Sequence, residues 1–237
     1  MSNSSLSIDT LINRCLIIAG KRNSGKTHLA KHLVKYFLNE FDKVFCISPS
    51  AAINKEWHKI IPNPDKTVLD EYNEKWVLDL IGQMSAANKG KNAHSKDQKH
   101  VLLILDDIVS SSFVGQHSNA LKTLASRGRH VGITILVITQ NICSTSPLLR
   151  NCADWYLLGR VNRGSMEIMR EQFDIFGMKP NEWFAFINKN TTDYKFLVLS
   201  QLATKSDSPD EVFGTILVPT NSNGELVEGP KPVCEEK

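Results

Sequence analysis

The eight residues Gly20-Lys21-Arg22-Asn23-Ser24-Gly25-Lys26-Thr27 fit G-x-x-x-x-G-K-[ST] at every fixed position, and their flanks leave few folds open. Before them, Cys15-Leu-Ile-Ile-Ala19 is a short apolar run of the kind that forms a buried strand. After them, Leu29, Leu33, Phe37 and Phe41 recur every four residues, with Ala30, Val34 and Leu38 beside them, which is the stripe of an amphipathic helix. A phosphate chain needs several donors aimed at one place, and the first-turn N–H groups of a helix lack intrahelical partners. Gly20 and Gly25 let the backbone curl around the phosphates without a Cβ clash. Lys26 then places a point charge on the β- and γ-phosphates, and the Thr27 hydroxyl completes a Mg²⁺ shell. The expected nucleotide-binding set is Gly20 to Thr27 with the adjoining His28, and the expected ligands are a nucleoside triphosphate and Mg²⁺.

Lys43-Val-Phe-Cys-Ile-Ser48 reads as a second strand closed by Pro49, so strand, helix and strand make a βαβ unit with parallel pairing. Ser48 to Ala51 then falls at a strand end beside the nucleotide. In the mixed polar stretch that follows, Trp57 and His58 stand out, and His58 reads as a surface histidine. Tyr72, Trp76, Leu80 and Met84, widened by Val77 and Ile81, predict a helix whose aromatic stripe packs into the core.

Val101-Leu-Leu-Ile-Leu105 is apolar throughout, as a strand buried on both faces must be, and it ends in Asp106-Asp107. Two carboxylates at the tip of a buried strand are costly unless something cationic or polar meets them. Beside a phosphate loop, Asp106 is placed to hold Mg²⁺ and Asp107 to orient and deprotonate an attacking water. That pairing points to hydrolysis. A helix within Ser110 to Ser126 precedes Arg127, Arg129 and His130. Gly132-Ile-Thr-Ile-Leu-Val-Ile-Thr139 is a further central strand delivering Gln140 and Asn141 to its tip, where ligands of doubly wound sheets bind. An amide there can hold the water or sense the γ-phosphate.

Trp155 to Gly159 reads as a fifth strand and Ser165 to Phe176 as a helix stopped by Gly177, with Met166, Met169, Phe173 and Phe176 inward. Trp183 to Ile187 and Tyr194 to Leu199 read as a hairpin. Beyond Ser200 the chain is polar apart from Val212 to Val218, and its last dozen residues read as disordered. The expected fold is therefore α/β, with a mainly parallel central sheet flanked by helices. A phosphate-loop domain over residues 11–200 precedes a small, β-containing and partly disordered C-terminal extension over 201–237.

Composition bounds the partners more than the fold. A formal charge of +3 over 237 residues requires any nucleic-acid surface to be local. The loop from Asn88 to Lys99, with Lys89, Lys91, Lys96, Lys99 and His94, is either a basic contact for a nucleic-acid backbone or a solvated connection. No apolar run approaches the roughly 20 residues needed to span a membrane. The polar start Met1 to Ser7 does not read as a signal peptide. Five cysteines without a C-x-x-C pair read as free thiols, so an intracellular setting is expected.

The ordered set Gly20 to Thr27, Leu105-Asp106-Asp107, Gly128-Arg129-His130, Thr139-Gln140 and Arg150-Asn151-x-x-Asp154 resembles the FtsK/HerA superfamily of P-loop ATPases. Within it, the chain is similar to the poxvirus-type genome-packaging ATPases of large DNA viruses and virophages. The resemblance runs from about residue 12 to 160, with weaker support to 218. It implies a homo-oligomeric ring that hydrolyses ATP to drive double-stranded DNA into a capsid, with capsid or portal-vertex proteins as partners. The setting it implies is the host cytoplasm or a virus factory, with association with the virion. It also implies an arginine reaching the neighbouring subunit's γ-phosphate. By position Arg129 is the first candidate and Arg150 the second, while Arg127 suits a phosphate-backbone or structural role. Asp107 stands where cellular members usually carry Glu. Two other readings use the same phosphate loop: a small-molecule kinase of nucleoside type, and an ATP-dependent interaction switch. The kinase lacks the acid expected after its second strand.

Overall fold

The computed structural model describes residues 11–91, 95, 97–108, 117–173 and 178–201, together with the backbone of 213–217. The chain runs β1 (Cys15–Ala19), α1 (Lys26–Phe37), β2 (Lys43–Ile47), single-turn α2 (Ala51–Asn54) and α3 (Pro64–Thr67), β3 (Val68–Leu69) and α4 (Glu74–Ala87). It continues through β4 (Val101–Asp106), α5 (Asn119–Arg127), β5 (Ile133–Thr139), α6 (Pro147–Asn151), β6 (Trp155–Leu158), α7 (Arg163–Phe173), α8 (Pro180–Asn190), β7 (Lys195–Ser200) and β8 (Phe213–Leu217).

Among the described residues the eight strands form one sheet in the order β3-β2-β4-β5-β1-β6-β7-β8. Pairing is parallel from β3 through β6, and antiparallel from β6 to β7 and from β7 to β8. The expected α/β class with a mainly parallel sheet is therefore observed. The β-forming part of the C-terminal extension is β8, an edge strand of that same sheet. The tail expected to be disordered lies outside the described residues, as do Phe176, Gly177, His94, Lys96 and Cys234.

The side-chain period of two divides each central strand between two cores. Cys15, Ile17 and Ala19 of β1, Val101, Leu103 and Leu105 of β4, and Ile133, Ile135 and Val137 of β5 pack under α4, α5, α7 and α8. Leu16 and Ile18, Leu102 and Ile104, and Leu136 and Ile138 face the opposite way, under Leu29, Leu33, Val34 and Phe37 of α1. Burial on both faces explains why these strands read as unbroken apolar runs. In α4, the Asn73 side chain caps the helix by accepting from the Trp76 N–H at 3.0 Å. Val77, Leu80, Ile81 and Met84 are its buried stripe, and Tyr72 precedes the helix.

The expected hairpin is corrected. Residues 180–190 are helix α8, which lies before β7. Pro180 occupies its first turn, where a missing N–H costs nothing, and the Glu182 carboxylate accepts from the Lys179 N–H at 3.0 Å. Trp183 and Ile187, one turn apart, are fully buried, and the Trp183 indole donates to Met166 O at 2.7 Å. The two-residue β3 is too short to register as a pattern, so the predicted fifth strand is β6.

Candidate active site

A parallel sheet gathers the C-terminal ends of its strands along one edge, and the site is assembled there. Gly20 follows β1 directly, and its N–H donates to Thr139 O at the end of β5 at 3.1 Å. The Lys21 N–H donates to Arg160 O beyond β6, so the loop is tied to both neighbours of β1. Asn23 (φ 60°) and Gly25 (φ 86°) are left-handed, which brings the chain round into α1, where the Leu29 N–H bonds back to Gly25 O at 2.9 Å. Arg22 to His28 line one wall of a cleft of about 910 Å³. Gly20 and Lys21 do not line it.

The facing wall comes from β4 and β5. Their register pairs Asp106 with Ile138, and the Asp107 N–H donates to Ile138 O at 2.9 Å. Asp107 then adopts φ 60°, an uncommon conformation that Asp tolerates better than most residues. Gln140, one residue past β5, donates from Nε2 to Asp107 Oδ2 at 2.8 Å. The expected neighbours of the lytic water are thus brought together.

Asp106 is buried, and its Oδ2 accepts from Ser48 Oγ and from Trp57 Nε1, each at 2.9 Å. Burial raises the Asp106 carboxyl above the ordinary aspartate value, while those two donors and Lys26 hold the rise back and Asp107 adds to it. Burial likewise lowers the Lys26 ammonium, with Asp107 and then Asp106 pulling it up and Arg22 pushing it down. Each charge here is partly desolvated and answered by its neighbours.

This arrangement fits a magnesium nucleotide. Thr27 and Asp106 present hard oxygen donors on the cleft wall, beside Lys26 and the positive end of α1. Among the described residues no three His, Cys, Asp or Glu side chains cluster as an all-protein cage. Magnesium needs none, because it takes one or two protein oxygens and completes its shell from phosphates and water.

The two arginine candidates lie elsewhere. Arg129, exposed in the turn Gly128–Val131, precedes β5 and so sits at the N-terminal edge of the sheet. The length of β5, at about 3.3 Å per residue, separates it from the cleft by roughly 20 Å. Arg150, at the end of α6 before β6, donates from Nη1 to Ile142 O at 3.4 Å and to Thr145 O, bracing its own chain. Asp154 pairs with Arg14 at 3.1 Å and accepts from the Cys15 N–H at 2.8 Å, which locks β1 to the start of β6.

Residues 5–200 match the poxvirus A32 protein family. The chain belongs to that family. The expectation of a poxvirus-type ATPase relative is met by this match. Uncharacterized protein 015R of Frog virus 3 (isolate Goorha) is 25% identical over 157 residues, which is 66% of this chain and 47% of that protein. The chain thus spans about half the length of this curated relative. Two solved structures share the fold at 16% identity. The DNA-packaging ATPase B204 of Sulfolobus turreted icosahedral virus has a TM-score of 0.57, covering 86% of this chain and 97% of its own. The genome packaging NTPase B204 of Sulfolobus turreted icosahedral virus 2, in complex with AMP, has a TM-score of 0.56, covering 82% and 94%.

Two residues of the site escape sequence reasoning. Trp57, in a stretch that reads as polar, is 1% exposed and donates to Asp106. Tyr194, read only as the start of a strand, lies against the phosphate loop, its ring 3.0 Å from where a Gly25 Cβ would stand. A large aromatic isolated among polar residues was the only available signal for Trp57, and Tyr194 gave none.

Proposed function

We propose that the protein is a Mg²⁺-dependent ATPase whose homo-oligomeric ring drives viral double-stranded DNA into a capsid. The observation that carries this reading is the meeting in one cleft of Lys26, the buried Asp106 and the Asp107–Gln140 pair. Nucleotide binding alone needs the phosphate loop; a carboxylate held by an amide from the neighbouring strand is what hydrolysis adds. Family membership and the packaging role of the two B204 proteins support the DNA substrate.

The loop and Lys26 hold the triphosphate and fix its orientation. Bound magnesium would draw charge from the phosphate oxygens. Gln140 keeps the Asp107 carboxylate turned toward the γ-phosphate end of the cleft, where it accepts a proton from the attacking water. Arg129 serves the neighbouring subunit's cleft, completing a site that one chain leaves open. Capsid or portal-vertex proteins are the remaining partners, in an infected host's cytoplasm or virus factory and on the virion. Among the described residues no helix is long and apolar enough to cross a membrane.

The test is ATP hydrolysis with and without double-stranded DNA. DNA should accelerate hydrolysis, and Lys26→Ala and Asp107→Asn should each abolish it. Equal rates with and without DNA would refute the motor. Transfer of the γ-phosphate to a nucleoside would instead establish a kinase.

A further inference from the structure

A second cavity of about 290 Å³ opens on the other side of the phosphate loop. Asn23 and Ser24 form its loop wall, Arg160 comes from beyond β6, and Thr192, Asp193 and Tyr194 come from the turn before β7. Asn23, Ser24 and Tyr194 also line the main cleft, so the two spaces adjoin at the loop. Its position follows from topology. The hydrolytic residues stand on β4 and β5, to one side of β1, whereas β6 and the start of β7 stand on the other. A triphosphate whose γ end faces Asp107 must therefore run its nucleoside end toward β6 and β7.

Three further observations suit that space to a nucleoside. Tyr194 offers an aromatic ring that is 36% exposed, the least ambiguous platform for a base beside the loop. The ring is held in place because Asp193 (φ 52°) and Tyr194 (φ 59°) are consecutive left-handed residues, in a turn closed by the Lys195 N–H on Thr192 O at 2.9 Å. Ser24 Oγ is buried and has no hydrogen-bond partner among the described residues. A buried hydroxyl left unmatched is costly, and a ligand group in either adjoining space would satisfy it. The Asp193 carboxylate and Thr192 hydroxyl add acceptors of the kind a sugar's hydroxyls require.

Taking the cleft as a triphosphate site, we propose that the cavity at 191–194 holds the nucleoside half of the nucleotide, with its base stacked on Tyr194. Tyr194 is then a specificity-determining contact that separates a nucleotide from a bare polyphosphate. The affinity of ATP rests partly on the ring, while that of inorganic tripolyphosphate rests on the loop and Lys26 alone.

Calorimetric titration of the full chain with Mg²⁺ and either ATP or inorganic tripolyphosphate tests this. Tyr194→Ala should weaken ATP about tenfold, the order expected for losing one aromatic–base stack, and leave tripolyphosphate unchanged. Tyr194→Phe should keep both affinities, and Lys26→Ala should weaken both. The emission of 2-aminopurine riboside triphosphate should be quenched by the unaltered chain and by Tyr194→Phe, but not by Tyr194→Ala. Equal weakening of both ligands in Tyr194→Ala would overturn the proposal, since the ring would then only support the loop. ATP binding that depends on Lys26 but ignores Tyr194→Ala would overturn the proposal alone. An unaltered chain that bound neither ligand would overturn the triphosphate site with it.

Discussion

Asp106→Asn should make the nucleotide-free protein more stable while abolishing ATP hydrolysis. Asp106 is 6% exposed, and burial raises its carboxyl above the ordinary aspartate value of 3.8. Because the folded carboxyl keeps its proton more tightly than an unfolded one, the folded state binds more protons. Stability is then fully present below the unfolded value and is lost as pH rises through the folded one. Each unit of elevation represents about 1.4 kcal/mol carried by the ionised form. The amide removes that load and keeps the contacts, since both donors, Ser48 Oγ and Trp57 Nε1, land on the one oxygen Oδ2. An amide oxygen can stand there, with its nitrogen on the cleft side. The loss of attraction to Lys26 works against the gain, but Asp107, the larger influence on that ammonium, remains. A net gain of about 1 kcal/mol is expected, in the range seen when functional sites are relieved of strain or charge. For a chain of this size that is about 2–4 °C in Tm. Thermal unfolding with a chelator present should show the full gain at pH 8 and a shrinking one as pH falls toward the ordinary aspartate value of 3.8. A variant melting at or below the parent at pH 8, or a difference that ignores pH, would refute the reasoning.

Gln140→Ala frees the Asp107 carboxylate from its 2.8 Å bond, so kcat should fall about ten- to a hundredfold with KM nearly unchanged in steady-state assays. Arg129→Ala should leave ATP affinity intact and lower kcat by about 10³-fold. Mixing it with Lys26→Ala subunits should restore part of the rate, since each supplies what the other lacks. Gly132→Ala forces a side chain onto φ 86° with its Cβ 2.3 Å from Lys99 O and 2.5 Å from Asn88 Nδ2. It breaks the bonds that Asn88 makes to Lys99 O and Val131 O, and a loss of about 2 kcal/mol or more should appear as a lower urea midpoint.

What could be read from the sequence was what depends on neighbours along the chain. The phosphate loop is one continuous turn, and β4 and β5 declare themselves because burial on both faces demands unbroken apolar runs. Residues 183–187 misled for the same reason. Five residues rich in aromatics suit a strand or one buried helical turn equally, and only Pro180 and Glu182, three residues upstream and one before, mark a helix start. Trp57 on Asp106 and Tyr194 on Gly25 are contacts between distant segments. No local period encodes them, so they emerge only once the sheet order is known.

Sheet order also decides how much of the site one chain can supply. The β4–β5 register sets Asp106 opposite Ile138, which is why Asp107 and Gln140 meet; a one-residue slip would part them and turn the core side chains of a strand to the wrong face. The same parallel arrangement sends every residue that precedes a central strand to the opposite edge. Arg129 precedes β5, so it cannot reach its own cleft across the length of that strand. Arg150 spends its guanidinium on two carbonyls of its own chain, whereas Arg129 stands exposed in a 3₁₀ turn. Arg22 is the arginine this chain places on its own cleft, and of the two candidates for another copy's cleft Arg129 is the one left exposed.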